Sequence, residues 1–228
     1  MKKLFALIAS VFLSMNVDAQ TTTLKIESFR MGIGEQKTIT LDLNNSDFTD
    51  AAAFCCDIVL PEGVEIATNE EGTYQFSVSD KDGRTASPES LVIASAKQSD
   101  GAVRVVCFPK DASAFVGESG AIMNVPLIAS KELTKGTVEV SIASQEITNT
   151  TGLSIVKPEA SIADLIVFLR SDANGDGSVN ITDVAYVIDK INSLIDAGLD
   201  EEAADANKDG EINITDVALI IDIINGVK

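Results

Sequence analysis

The chain has 228 residues, 35 acidic against 17 basic side chains, a net charge of −18, no His and no Trp. That acidity argues against nucleic acid as a partner, which requires positive patches to displace phosphate counterions. The absence of His removes the commonest general base and zinc ligand.

The N-terminus carries Lys2 and Lys3, an apolar run over residues 4–15, and Val17, Asp18 and Ala19 ahead of Gln20. This pattern predicts a secretory signal peptide, 1–19, cleaved near Ala19 or Gln20. The run is shorter than the ~20 apolar residues a membrane span takes. No Cys follows it, which argues against a lipid anchor. No other stretch is long enough to span, so the expected product is exported and not an integral membrane protein.

Residues 21–169 are long enough for one domain with its own core. Apolar and polar residues alternate over 24–29, 37–43, 53–60, 75–79, 91–96, 103–108, 121–129, 137–142, 147–149 and 162–168, which predicts strands. Turn signals separate them, among them Gly32-Ile33-Gly34, Pro61-Glu62-Gly63, Asp82-Gly83, Asp100-Gly101 and Ser119-Gly120. Many short strands at this spacing suggest an antiparallel β-sandwich. Alternation places Phe54, Cys56, Ile58 and Leu60 on one face, and Val103, Val105 and Cys107 on another face opposite Arg104. Cys56 and Cys107 therefore read as small buried hydrophobes. A disulfide between them is the alternative, with Cys55 left over from an odd count of three.

Residues 161–169 read as a strand, and the junction 157–170 has one Pro and little Gly or Ser, so it is not a long flexible linker. Beyond it, one segment occurs twice. The first copy places Asp172, Asn174, Asp176, Gly177, Asn180 and Asp183. The second repeats these as Asp205, Asn207, Asp209, Gly210, Asn213 and Asp216. Extended to Asn192 and Asn225, the copies agree at 15 of 21 positions at an offset of 33 residues. Oxygen-bearing side chains at positions 1, 3, 5, 9 and 12, with Gly at 6, follow the ligand order of an EF-hand calcium loop, with Asp replacing Glu at 12.

Calcium takes roughly six to eight oxygen ligands. Alternating Asp172, Asn174 and Asp176 can turn inward on a tight curl that Gly177 permits. Ser178 offers its backbone carbonyl, Asn180 acts directly or through water, and Asp183 closes the sphere from the next helix. Asp205, Asn207, Asp209, the Glu211 carbonyl, Asn213 and Asp216 repeat the set, so two calcium ions are expected. Apolar residues at helical spacing follow each loop: Ile181, Val184, Ala185, Val187, Ile188, Ile191 and Leu194, then Ile214, Val217, Ala218, Ile220, Ile221, Ile224 and Val227. No helix is evident ahead of the first loop, so the unit reads as loop–helix, linker, loop–helix. The segment 172–228 holds 13 acids against three lysines, a net −10. Mutual repulsion of these carboxylates predicts a unit that folds poorly without the cation, because metal binding then supplies part of the folding free energy.

The duplicated loop–helix resembles a type I dockerin, covering 170–228. That resemblance implies a calcium-dependent partner, a cohesin-like protein, and systems that assemble polysaccharide-degrading machinery. It also implies that partner binding falls on loop positions 10 and 11 and residues further along each helix: Ile181, Thr182, Ile188 and Asp189, then Ile214, Thr215, Ile221 and Asp222. Many dockerins place a hydroxyl at position 10, where this chain has Ile twice. Because both copies carry the same residues there, binding in two orientations related by a pseudo-twofold is expected. A second resemblance lies in Gly34-Glu35 with 39–43, Phe54 with 57–64, and Gly117-Glu118-Ser119-Gly120-Ala121-Ile122. These marks resemble the cohesin-type jelly-roll sandwich, a relative of some carbohydrate-binding modules. The expected fold is thus mainly β plus small α: an antiparallel jelly-roll sandwich over 21–169, then a small all-α calcium-binding unit.

No nucleophile elbow, phosphate loop or nucleotide fingerprint is present. A glycosidase needs only two carboxylates, roughly 5–9.5 Å apart. Yet sugar clefts favour aromatic platforms, and only Tyr74 and Tyr186 accompany nine Phe here. The reading is a secreted, non-catalytic interaction protein, extracellular or held at a cell surface through its docked partner. Two alternatives stand beside it. In one, the sandwich binds a polysaccharide and the C-terminal unit is a tether. In the other, one chain's C-terminal unit enters the next chain's sandwich, a heterologous contact that builds filaments. A duller arrangement is also open, in which the two units simply pack on each other.

Overall fold

The computed structural model describes residues 22–195 and 197–227. The expected signal peptide, 1–19, lies outside the described residues. In chain order the strands are β1 (Thr23–Lys25), β2 (Phe29–Gly32), β3 (Gln36–Asn44), β4 (Ala51–Val59), β5 (Val64–Ile66) and β6 (Ser77–Val78), then β7 (Leu91–Lys97), β8 (Val103–Pro109), β9 (Ser119–Ala129), β10 (Gly136–Asn149), β11 (Ile155–Val156) and β12 (Ser161–Phe168). The helices α1 (Ile181–Ile191), α2 (Glu201–Ala204) and α3 (Ile214–Ile224) follow.

The strands form two sheets. One runs β1-β3-β9-β5 with β6 beside β9; the other runs β2-β12-β10-β4-β8-β7 with β11 beside β10. Pairings are antiparallel except that β2 lies parallel to β12. The inward residues of alternating strands fill the space between the sheets: Leu24, Leu41, Leu43, Phe54, Cys56, Ile58, Val105, Met123, Leu127, Ile142 and Leu165 are all buried. This is the period-2 pattern expected of sheets with one wet face.

Two departures from the sequence expectation have clear causes. The stretch expected as one strand, 24–29, divides: β1 pairs with β3 in one sheet and β2 with β12 in the other, so the chain crosses between sheets there. The two strands expected at 137–142 and 147–149 are one, β10, interrupted by a bulge between Ala143 and Glu146. Ser144 takes a positive φ of 48° at this bulge. It turns Gln145 inward, where its side chain accepts from Leu24 N at 2.8 Å and donates to Leu24 O at 3.0 Å. A buried amide thus ties the crossing strand to the opposite sheet and satisfies peptide groups at the corner. The short strands β5 and β11 had no alternating run long enough to announce them.

All three cysteines are free thiols, with Cys56 and Cys107 in the core. Burial pushes the Cys107 thiol up to about 12 and that of Cys56 higher still. Neither forms a thiolate at neutral pH, which fits a packing role and not a reactive one.

The helical unit follows β12 directly and packs on one end of the sandwich. Buried Phe168 closes β12, and two guanidinium groups stack over its ring, Arg30 at 5.0 Å and Arg170 at 4.8 Å. Such stacking favours a cation when the site is partly desolvated. Arg30 then reaches Asp200 at 2.6 Å and Glu202 at 2.8 Å, and Lys37 adds a longer contact to Glu202 at 3.4 Å. Arg170 grips Glu35 with two bonds of 2.8 and 2.9 Å, and Lys208 reaches the same carboxylate at 2.9 Å. Planar, bidentate Arg–carboxylate pairing fixes orientation as well as distance. The duller arrangement in which the two units pack on one another is therefore present in this chain.

Burial alone would raise the Glu35 carboxyl, but the bonds from Arg170 and Lys208 outweigh it and hold the group at about 2, against an ordinary value near 4.5. A carboxyl depressed by folding contributes stability above its unfolded value, and that contribution fades as pH falls toward the folded value. Thermal melts of Glu35→Gln should therefore start from a lower Tm than wild type at pH 7, with the gap narrowing between about pH 4.5 and 2. A gap that stays constant across that window would show that Glu35 does not hold the two units together.

Candidate metal centre

The two repeats fold alike because the same residues make the same local bonds. Asn180 caps α1, its Oδ1 accepting from Thr182 N at 2.9 Å, while Asp183 reaches back to accept from Asn180 N at 2.8 Å. Asn213 and Asp216 do the same for α3, at 2.8 and 2.9 Å. This reciprocal capping box satisfies the amides that a helix N-terminus leaves unpaired. Asp183 does more than cap: its other oxygen accepts from Asn174 N at 3.1 Å, as Asp216 does from Asn207 N at 3.1 Å. One carboxylate therefore binds the start of the loop to the start of the helix, and in both copies it is fully buried.

Along each loop, side-chain oxygens accept from main-chain amides two to five residues on. Asn174 accepts from Asp176 N at 2.9 Å, Asp176 from Ser178 N at 2.9 Å, and Asp172 from Gly177 N at 2.9 Å. The second loop matches with Asn207, Asp209 and Asp205 at 2.9, 2.9 and 3.0 Å. The glycines at the sixth position, Gly177 and Gly210, have φ of 94° and 86°, a region where a Cβ is strained.

The expected ligand residues of each repeat lie along one hydrogen-bonded curl, in which the Asn180 and Asn213 oxygens are engaged as the caps of α1 and α3. Among the described residues, however, no three acidic side chains draw together tightly enough to hold an ion by themselves. The donors would have to be mixed, with Asn174 and Asn207 and the Ser178 and Glu211 carbonyls completing what Asp172, Asp176 and Asp183, and their counterparts, begin. Two observations fit a cation to that set. Asp183 and Asp216 are buried carboxylates met mainly by neutral amides, which is a costly place for charge unless something positive shares it. Asp172 is buried as well, and its Oδ1 has no hydrogen-bond partner among the described residues. The all-oxygen donor set suits a hard cation such as calcium.

The residues expected to meet a partner take up matching exposures. Ile181 and Ile214 are 68% and 67% exposed, and Ile188 and Ile221 38% and 39%. Leu194 and Val227 follow at 72% and 69%. Thr182 and Thr215 are on the surface, but their hydroxyls are held inside the loops, donating to Asn180 and Asn213 and accepting from Asn174 and Asn207. Asp189 and Asp222 are half-buried. From the two long helices, Val184, Val187, Val217 and Ile220 enter the unit's core, alongside Ala173, Ala204 and Ala206. So small a core leaves most of the helical apolar residues outside.

Two features stand outside the sequence expectation. The first is α2, a single turn ahead of the second loop, capped by Asp200, which accepts from Ala203 N at 3.2 Å. Asp200 followed by two Glu was its signal. The second is Lys135, between β9 and β10, whose ammonium reaches Asp172 Oδ2 at 2.7 Å and the Gly175 carbonyl at 2.5 Å. Nothing in the sequence links residues 37 positions apart in this way.

Comparison with known proteins agrees with this geometry. The type I dockerin domain family matches residues 170–225. No curated protein matches the chain. Among solved structures, a chain from a type I cohesin–dockerin complex of Clostridium thermocellum is similar at 12% identity and a TM-score of 0.52, over 65% of this chain and 99% of that one. The sixth cohesin of Acetivibrio cellulolyticus scaffoldin B, solved with a dockerin, gives 13% identity and 0.52 over 64% and 99%. A cohesin module of a Clostridium perfringens family 33 glycoside hydrolase gives 12% and 0.50 over 66% and 97%. At such identities the likeness establishes the fold. Cohesin and dockerin modules are non-catalytic interaction modules, and type I dockerins bind calcium. The chain joins a β-sandwich of the cohesin fold to a segment, residues 170–225, that matches the type I dockerin domain family.

Proposed function

We propose that this protein is an exported, non-catalytic adaptor whose dockerin domain, loaded with two calcium ions, docks a cohesin-like partner in a polysaccharide-degrading assembly. The observation that carries the reading is the pairing of exposures on α1 and α3. Two apolar faces, built from the same residues, stay open in the full chain although the domain is packed against the sandwich. The ionic contacts use Arg170, Asp172, Gly175, Asp200, Glu202 and Lys208, none of which lies on those faces. Exposed apolar patches flanking a defined helix surface are what a docking partner buries. Capping ties the cation to this surface: Asp183 and Asp216 set where α1 and α3 begin, so an ion shared by those carboxylates fixes Ile181 and Ile214 in the first turn.

Calorimetric titration of the full-length chain with CaCl₂ should give two bound ions, and Asp183→Ala should leave one. Excess EGTA should lower the helical circular-dichroism signal, since binding then contributes to folding. A chain that binds no calcium and keeps its spectrum in EGTA would sink this reading.

Because the faces are equivalent, either one can serve. Replacing Ile181 and Thr182 by Asp should leave capture by an immobilised cohesin within a few-fold of wild type, and adding the same changes at Ile214 and Thr215 should abolish it. Complete loss from the first pair alone would show that one face does all the docking. Desolvating a buried anchor of this kind typically changes binding by ~2 kcal/mol or more, well above the noise of such an assay.

A further inference from the structure

The two loops have nearly the same internal bonds but meet the sandwich differently. At the first, the Lys135 ammonium sits on Asp172 Oδ2 at 2.7 Å and on the Gly175 carbonyl at 2.5 Å. At the second, the corresponding Asp205 accepts amides from its own loop, Asp209 N at 3.1 Å and Gly210 N at 3.0 Å. Lys208 stands where the first loop has Gly175, but its ammonium points outward to Glu35 at 2.9 Å. Arg170, which touches the Asp205 carbonyl at 3.0 Å, is itself neutralised by both oxygens of Glu35. Among the described residues, then, only the first loop has a cation from the sandwich bound to one of its own carboxylates.

We propose that the Lys135 ammonium competes with calcium for Asp172 and lowers the calcium affinity of the first loop below that of the second, so that calcium entry there and the sandwich's grip on the C-terminal unit oppose each other. This rests on reading the loops as calcium sites. Two effects of the lysine compete, and the structure decides between them. Lys135 could help by turning Asp172 Oδ1 inward, but the Gly177 amide already holds Oδ2 at 2.9 Å and leaves Oδ1 free. In the second loop the Gly210 amide holds the corresponding Oδ2 of Asp205 at 3.0 Å with no lysine on that carboxylate, although there Oδ1 also accepts from Asp209 N at 3.1 Å. Orientation therefore does not need Lys135, and the charge effect remains. Asp172 is buried, so water and salt screen its surroundings poorly, and a second cation sharing that carboxylate is repelled by the first. The coupling is reciprocal: whatever Lys135 takes from calcium affinity, calcium takes from the Lys135–Asp172 contact.

Calorimetry on the full-length chain tests this with each loop silenced in turn. In an Asp209→Ala background, where the first loop titrates alone, Lys135→Met should tighten calcium binding by about tenfold, and Lys135→Arg should not. In an Asp176→Ala background, where the second loop titrates alone, Lys135→Met should change nothing. A purely structural role for Lys135 would weaken binding in the Met variant instead, and that result, or an unchanged first-loop affinity, would overturn the proposal while leaving the calcium reading intact. No calcium heat in any variant would overturn both.

Discussion

The carboxylates of Asp183 and Asp216 hold the C-terminal domain together. Each is buried, accepts the amide ahead of its helix and the amide at the third loop position, and so fastens loop to helix through one side chain. A buried carboxylate met mainly by neutral donors is poorly compensated. The same group that builds the local fold thus makes each loop a place where a cation would be welcome, and the shortness of Asp keeps helix and loop close. Hydrophobic burial cannot substitute for this. The domain's core consists of four aliphatic helix residues and a few alanines, too small to order two loops by itself.

The sandwich contributes a second constraint, of a different kind. Its contact with the C-terminal unit is ionic and stacked, centred on Phe168 with Arg30 and Arg170 over its ring and on the Glu35 carboxylate that Arg170 and Lys208 share. Such a contact sets an orientation through geometry, and it leaves the isoleucines of α1 and α3 exposed. It also brings the sandwich into the electrostatics of the loops, because residues at or beside the candidate ligand positions, Asp172, Gly175 and Lys208, take part in it.

Much of this was readable one residue at a time. The order Asp, Asn, Asp, Gly, Asn, Asp specifies the loops because every position answers a local need, whether an Asx bond to an amide two residues on, a positive φ or a helix cap. Requirements met by near neighbours leave short-range signatures. Most strands of the sandwich were readable for the same reason, since alternation records one dry face and one wet face. The strand crossing at 24–29 and the bulge at Gln145 were not, because they are settled by which sheet a residue meets, information that the alternation does not carry. The turn α2 was hidden in what read as a linker.

By itself, the sequence determined the repeat, the donor types at each loop position, the capping residues, the apolar periodicity of α1 and α3 and the class of the larger domain, all of which depend on neighbours within a few residues. Tertiary structure alone decided that Lys135 and Glu35 meet the two loops, that Cys56 and Cys107 stay apart as thiols, and that Ile181 and Ile214 stay outside the core while Val184 and Val217 enter it. Contacts of that kind join residues far apart in the chain, and their identity depends on how the sheets and helices stack, which no local pattern records.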